Sequence, residues 1–360
     1  MGPQRVDRVG IARQHRLNAI GNLKLSSGHF DDAIEYFQHA IISNVSDFND
    51  ANENYNPGLN NYYSGNTLLF SLLNKAEALE ARHFGRTLKF YELALALKTL
   101  QVCDSLINDL RQQITNESDK VLLGSIGADV YAAGVRIAHE ASQVAAKKKP
   151  WTELSFYFAE KSKSAVLLEA ISDSNAKSYA GIPEGLLEEE KNLKAEIAVL
   201  AQKLSLKPTD SEEKYLREMH FTLNRGYENF VKELESKFPS YYNLKFNVSA
   251  PSVRNLQSKL NQRSAIISYF IDEKNNRLYI FVISNRSFKT ISRPLPADFE
   301  RNLNGLRNSL SFNDFETYMQ TAEKLTELLL SLKIPPGIQD LILIPTGRLS
   351  VIPFEALFDK

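Results

Sequence analysis

Nucleophilic chemistry in this chain would have to begin from one cysteine and six histidines, because a thiolate needs a base to keep it ionised and donors to hold an oxyanion. Cys103 stands among Leu100, Leu106, Ile107 and Leu110 at the spacing of one apolar helix face, which predicts a packed thiol. The histidines are His15, His29, His39, His83, His139 and His220, and no two of them stand at metal-ligand spacing. His139-Glu140 lacks the second histidine four residues on that a zinc peptidase helix carries. There is no Gly-x-Gly-x-x-Gly and no Walker loop, so no nucleotide site is expected. The sequence therefore assigns no catalytic residue, no cofactor-binding residue and no metal ligand, and predicts no cofactor.

The totals bound the partners. Lys+Arg and Asp+Glu balance at 43 each among 360 residues, which argues against a chain-wide basic field for nucleic acid or an anionic membrane. A single cysteine excludes an internal disulfide framework and fits a reducing cytoplasm. The stretch Gln4 to Arg16 is charged every few residues where a signal peptide would be apolar, and no apolar run approaches the roughly 20 residues that span a bilayer. A cytoplasmic protein that binds neither membrane nor nucleic acid is expected.

The elements follow from periodicity. Leu17 to Ala40 has the pattern of two amphipathic helices broken at Gly28, with Asp31 and Asp32 at the positive start of the second. Gly21, Ala33 and Ala40 fall where the two would touch, with Leu17, Phe30 and Phe37 filling the space around them. Ser43 to Asn66 carries eight Asn with Pro57 and Gly58 and predicts a long bulging connection. Helices are expected over Thr67–Phe84, Thr87–Gln113, Asp119–Lys147 and Trp151–Ile171. Lys147 to Lys149 then complement a helix C-terminus, and Pro150 enforces the stop. Ser172–Ile182 reads as a linker, Pro183–Leu204 and Ser211–Phe238 as an antiparallel hairpin, and Pro239 as a domain boundary. Beyond it, a short helix at Ser252–Leu260 precedes strands at Ser264–Ile271, Arg277–Ser284 and Phe288–Arg293. Two helix stripes follow, Phe299/Leu303/Leu306/Leu310 and Phe315/Tyr318/Ala322/Leu325/Leu329/Leu332. Leu341 to Ile344 is a short apolar run stopped by Pro345 to Gly347, which predicts a strand buried on both faces. Arg348–Leu357 is expected to return along the sheet edge with Ile352, Phe354 and Leu357 buried.

Three stretches carry a resemblance. Pro345, Gly347, Leu349, Pro353, Phe354, Glu355, Ala356 and Leu357, after an apolar strand, are similar to the opening of the CHAT domain, a caspase-like cysteine peptidase domain joined to tetratricopeptide (TPR) repeats. Thr346 stands where that family has Asp, and its side-chain oxygen is expected to serve the following backbone of the same turn. Phe158, Ala159, Glu160, Lys161, Ser162, Lys163, Ala165, Leu167 and Leu168 resemble the helix that leads into such domains. Glu160 with Lys163 or Ser164 reads as pairing on a helix surface. Leu17, Ile20, Gly21, Phe30, Ala33, Phe37 and Ala40 occupy TPR signature positions.

The resemblance implies an α+α/β chain, a TPR-like α-helical hairpin array followed by an incomplete caspase-like α/β domain. Residues 1–172 would be the repeats, 173–239 a linker and helical hairpin, and 240–360 the N-terminal part of the CHAT domain. The implied function is a regulatory region that binds a protein or peptide on the concave face of the repeats, ahead of a peptidase whose His-Cys dyad lies beyond residue 360. The alternative is a non-enzymatic interaction scaffold with a degenerate α/β cap. Either way this chain is expected to be inactive, and a half-delivered sheet is expected to expose the edge near Leu343 to self-association.

Overall fold

The computed structural model describes residues 3–113, 117–173, 183–205, 209–238 and 250–357. The described chain is mostly helical with one small mixed sheet. It divides into two compact units, Met1–Ala146 with Glu160–Ala250, and Lys147–Ala159 with Pro251–Lys360.

In the first unit α1 (Pro3–Ser26), α2 (Phe30–Asn44), α3 (Gly65–Arg82), α4 (Phe90–Gln113) and α5 (Glu117–Val144) pack each against the next. Contacts between α1 and α3, and between α3 and α5, make the series a stack of hairpins. Gly28 turns the chain from α1 to α2 with φ +76, a left-handed value that a Cβ would strain. Two turns earlier the helices meet at Gly21, where an added Cβ would lie 2.5 Å from the ring of the fully buried Phe37. Ala33 and Ala40 are buried too, as the spacing predicts, whereas Ile20 is exposed. α1 starts fourteen residues before the expected Leu17, so the charged stretch Gln4 to Arg16 lies within a helix.

Between α3 and α4 the helix widens into a π-turn, His83–Thr87, and Leu88 takes φ 52 to start α4. Val121–Val144 of α5 is long and apolar enough to cross a membrane by length and composition, contrary to the expectation that no run is; half of that window is buried inside the protein. Such burial is what a helix enclosed by neighbours shows, and Gly127 faces Ile107 across the contact.

α6 (Lys149–Asp173) supplies its first turns to the second unit and its remainder to the first. Pro150 opens α6 rather than closing α5, which ends at Val144. A first-turn proline lacks only an N–H that would have had no helical partner, and the Lys148 carbonyl takes the N–H groups of Trp151 and Thr152. The linker from 174 to 182 and the boundary at Pro239 lie outside the described residues. α7 (Glu184–Ser205) and α8 (Asp210–Lys237) form the expected hairpin around Ile197, Tyr227, Phe230 and Val231, and α8 touches α4.

In the second unit α9 (Val253–Lys259) precedes β1 (Ser264–Asp272), β2 (Arg277–Ser284) and β3 (Phe288–Pro294). Next come α10 (Phe299–Phe312), α11 (Phe315–Leu329) and β4 (Asp340–Ile344). Sheet order is β3-β2-β1-β4, antiparallel except for the parallel β1–β4 pair. Ile267, Tyr269, Leu278, Ile280 and Val282 on one face meet Phe299, Leu303 and Leu306 of α10 and Ala322, Leu325 and Leu329 of α11. On the other face Phe156 of α6 packs edge-on against Phe281, with ring centroids 5.3 Å apart. The two stripes hold except at their ends, where Leu310 and Phe315 are exposed.

Replacing Gly21 by Val forces a branched side chain onto the Phe37 ring. We expect a loss of about 1–3 kcal/mol, the usual cost of overpacking, read from the denaturant midpoint at unchanged slope. Gly58→Val, where an added Cβ meets nothing within 4 Å, is the control.

Candidate functional site

β4 is an interior kind of strand in an edge position. Its parallel register sets Ala265 against Leu341, Ile266 against Ile342 and Ile267 against Leu343. Period-two alternation puts Leu341 and Leu343 on the face of Ile267, and Ile342 on the opposite face. Leu343 packs on the core, yet Leu341 is 41% and Ile342 48% exposed. The expectation of a strand buried on both faces is thus corrected. Among the described residues no strand pairs with the outer edge of β4, so its apolar side chains stay half in water.

The segment after β4 turns under the sheet. Gly347 takes φ 52, where only glycine fits without strain. The Leu349 N–H donates to the Thr346 carbonyl at 3.0 Å to close the turn. The Thr346 hydroxyl does something other than the expected local bond: it donates to the Tyr269 carbonyl of β1 at 3.0 Å, tying the turn to the central strand. Leu349, Ile352 and Leu357 are buried in the core beneath β1 and β2, and Phe354 stacks on Tyr269 with centroids 5.7 Å apart. The Tyr318 hydroxyl donates to the Ala356 carbonyl at 2.8 Å. The segment therefore crosses one face instead of running along the edge, because three buried apolar side chains outweigh what an edge strand could pair. Arg348 lies over the Phe299 ring and pairs with Glu273 and Glu300.

In the first unit the stretch resembling the lead-in helix is less superficial than expected. Lys161 is buried and reaches Asp104 of α4 at 3.2 Å and Asn108 at 3.1 Å, while Tyr131 of α5 donates to the same Asp104 carboxylate at 3.0 Å. Burial pulls Lys161 below the ordinary lysine range, with Asp104 opposing it. Glu160 pairs with Lys163 at 2.8 Å, but both side chains are only 12–14% exposed, so this too is interior pairing. The sequence signal was available in Asp104, an acid on the apolar face of α4; nothing in the sequence says which cation meets it.

The thiol that nucleophilic chemistry would need is disarmed. Cys103 is fully enclosed, and burial, then the Asp104 carboxylate, push its pKa far up, so the reactive thiolate is suppressed. His83 is buried with its Nδ1 3.0 Å from the Lys89 carbonyl, and His39 faces Glu35 at 3.7 Å. Among the described residues no group of three or more His, Cys, Asp and Glu side chains is arranged to hold a metal ion.

What these features define is a class by architecture: stacked helical hairpins with a mixed α/β unit whose one parallel strand lies at an open edge. No protein-family model matches the chain, and no curated protein is similar to it in sequence.

Two substitutions test this geometry. Thr346→Asp places an acceptor-only carboxylate against the Tyr269 carbonyl, so at neutral pH it should cost more than Thr346→Val, by about 1 kcal/mol or more. Equal losses in urea melts would show that the carboxylate meets no repulsion at the Tyr269 carbonyl, and no loss in Thr346→Val would show that the bond to β1 contributes nothing. Lys161→Met should cost about 3–5 kcal/mol by leaving Asp104 buried without its cation, and adding Asp104→Leu should recover part of that loss.

Proposed function

We propose that this chain is the partner-binding region and the N-terminal part of a caspase-like CHAT cysteine peptidase, with TPR-like hairpins as the docking platform. The observation that carries the reading is β4: a parallel strand apolar on both faces, next to the central strand, with an open outer edge. Parallel sheets bury such strands on both sides, so a sheet of this kind accepts further parallel strands beyond β4. The turn after it supports the same reading, since Gly347, Leu349 and Leu357, three of the positions that carry the resemblance, are the left-handed residue and two buried anchors.

The nucleophile and its base then belong to later core strands, because the one cysteine of this sequence is enclosed in α4. That same inert thiol favours the second reading, a scaffold without enzymatic activity. The reading frame past Lys360 separates them. A His and a Cys that each follow a further apolar strand support the peptidase, and a frame without them leaves the scaffold.

The hairpin stack offers its concave side to a protein or peptide, as stacked helix pairs do. The open edge has a further consequence for the chain as it stands. We expect concentration-dependent self-association in sedimentation velocity runs, reduced by Ile342→Lys, since a charge on an edge strand blocks pairing. A monomer at every concentration, in both proteins, would sink the open-edge reading.

A further inference from the structure

The loop from 45 to 64 is held to the first unit by one buried lysine amine and the amides around it. The Lys75 side chain on α3 is fully enclosed, and its Nζ donates to Gln38 Oε1 of α2 at 2.7 Å, the Tyr55 carbonyl at 2.9 Å and Asn56 Oδ1 at 3.0 Å. The Gln38 amide nitrogen in turn donates to the carbonyls of Asp50, Asn52 and Tyr55, at 2.7, 3.2 and 3.3 Å. Asn56 bonds Thr99 of α4 at 3.1 Å. The middle of the loop is thus moored to three successive helices through a cluster centred on Lys75. All three oxygens on the amine are neutral.

We propose that Lys75 is a proton-responsive latch, which holds this loop against α2, α3 and α4 and loosens it on gaining a proton.

The ionisable groups bearing on Lys75 are few. Glu53 of the loop favours the charged form, but both its oxygens are taken up by Arg82. Lys98 of α4 disfavours it. From α2 the facing side chain is the neutral Gln38. From α1 the neutral Gln14 and Asn18 reach only Ser71, one turn back on α3. Further along α3, Arg82 is itself surrounded by Asp31, Glu53 and Glu92.

Two effects compete at the amine. An ammonium has three N–H donors for three acceptors, which favours the charged form. Against that stands the cost of burying a charge with no carboxylate in contact, and this is the larger effect. Burial lowers Lys75 from 10.5 to about 7. In the opened loop the amine meets water and returns to its ordinary value, so the open form holds the proton more tightly. Below about pH 7 both forms are protonated and opening does not depend on pH. From there up to 10.5 the closed form has lost the proton and the open form has not, so each pH unit should lower the opening constant up to tenfold. Opening uncovers Gln38, Lys75 and Thr99, a polar strip across α2, α3 and α4. This device does not rest on the peptidase reading.

Amide hydrogen exchange on the whole chain tests it. Ser46, Tyr55 and Tyr63, whose N–H groups donate to Asn61, Asn52 and Asn44 carbonyls, report the loop. With intrinsic exchange divided out, their protection should be flat below neutrality and rise up to tenfold per pH unit above it. Lys75→Met should abolish the slope, and Lys98→Met, at an exposed position, should move its onset to higher pH. A wild-type slope of zero, or an equal slope in Lys75→Met, overturns the latch. Should Lys75→Met fail to fold, a directly titrated Lys75 Nζ decides: a midpoint near the ordinary 10.5 overturns the proposal, and one near neutrality that moves up in Lys98→Met sustains it.

Discussion

The α/β unit depends on β1 being satisfied on every side. Its backbone pairs antiparallel with β2 along one edge and parallel with β4 along the other, while eight of its nine side chains are buried. A strand in that position cannot slip by one residue without turning Ile267 and Tyr269 away from α10 and α11. The hairpin to β2 pins the register at one end: Asp272, fully buried, accepts from the Asn275 backbone and side chain, and Asn276 takes the left-handed φ 48 that the tight turn needs. At the far side, Thr346 fastens the exit from β4 to the Tyr269 carbonyl, and the Tyr269 hydroxyl donates to the Leu329 carbonyl at the end of α11. Register, turn and helix packing therefore constrain one another through a single strand.

The first unit reaches order by a different route. Apolar spacing stacks the helices, but the connection between α2 and α3, although Val45 and Pro57 are buried, is held in large part by polar side chains. Asn44 alone accepts from the Tyr63 and Ser64 N–H groups and donates to the Ser64 carbonyl. Arg82 gathers Asp31, Glu53 and Glu92 from two helices and the loop. Such networks stabilise only when complete, because a lone buried donor or acceptor costs about as much as several exposed ones return. The loop is long yet tied at its ends and its middle, which is why its composition alone reads as a loose bulge.

Helices and strands were legible because their signal is local: the strand Arg277–Ser284 and the stripes of α10 and α11 follow directly from residue spacing. Pro150 misled because proline marks both a helix stop and a first turn, and only the chain beyond it decides which. The burial of β4 misled because an apolar run records what a strand is suited to, and pairing partners are a property of the sheet. Lys75 and Lys161 were invisible as interior lysines, since lysines on a helix are ordinarily solvated and their acceptors lie 19 to 57 residues away. Gln38 gave no sign either, for an amide reveals its role only when the carbonyls it serves are in place.

The edge of β4 sharpens the distinction between the two functional readings. Natural edge strands are blunted by lysine, proline, bulges or inward-pointing charge. β4 has none of these within Leu341 to Ile344; Asp340 opens the strand and Pro345 follows it. A self-contained scaffold with this sheet would carry a hazard that only the shortness of β4, Asp340 at its start and Pro345 after it reduce. By contrast β3, the opposite edge strand, carries Lys289 and Arg293 and ends in Pro294, the expected protection for a permanent edge. Among the described residues the two edges of one sheet thus differ: β3 carries a lysine, an arginine and a closing proline, and β4 carries the apolar Leu341 and Ile342 exposed.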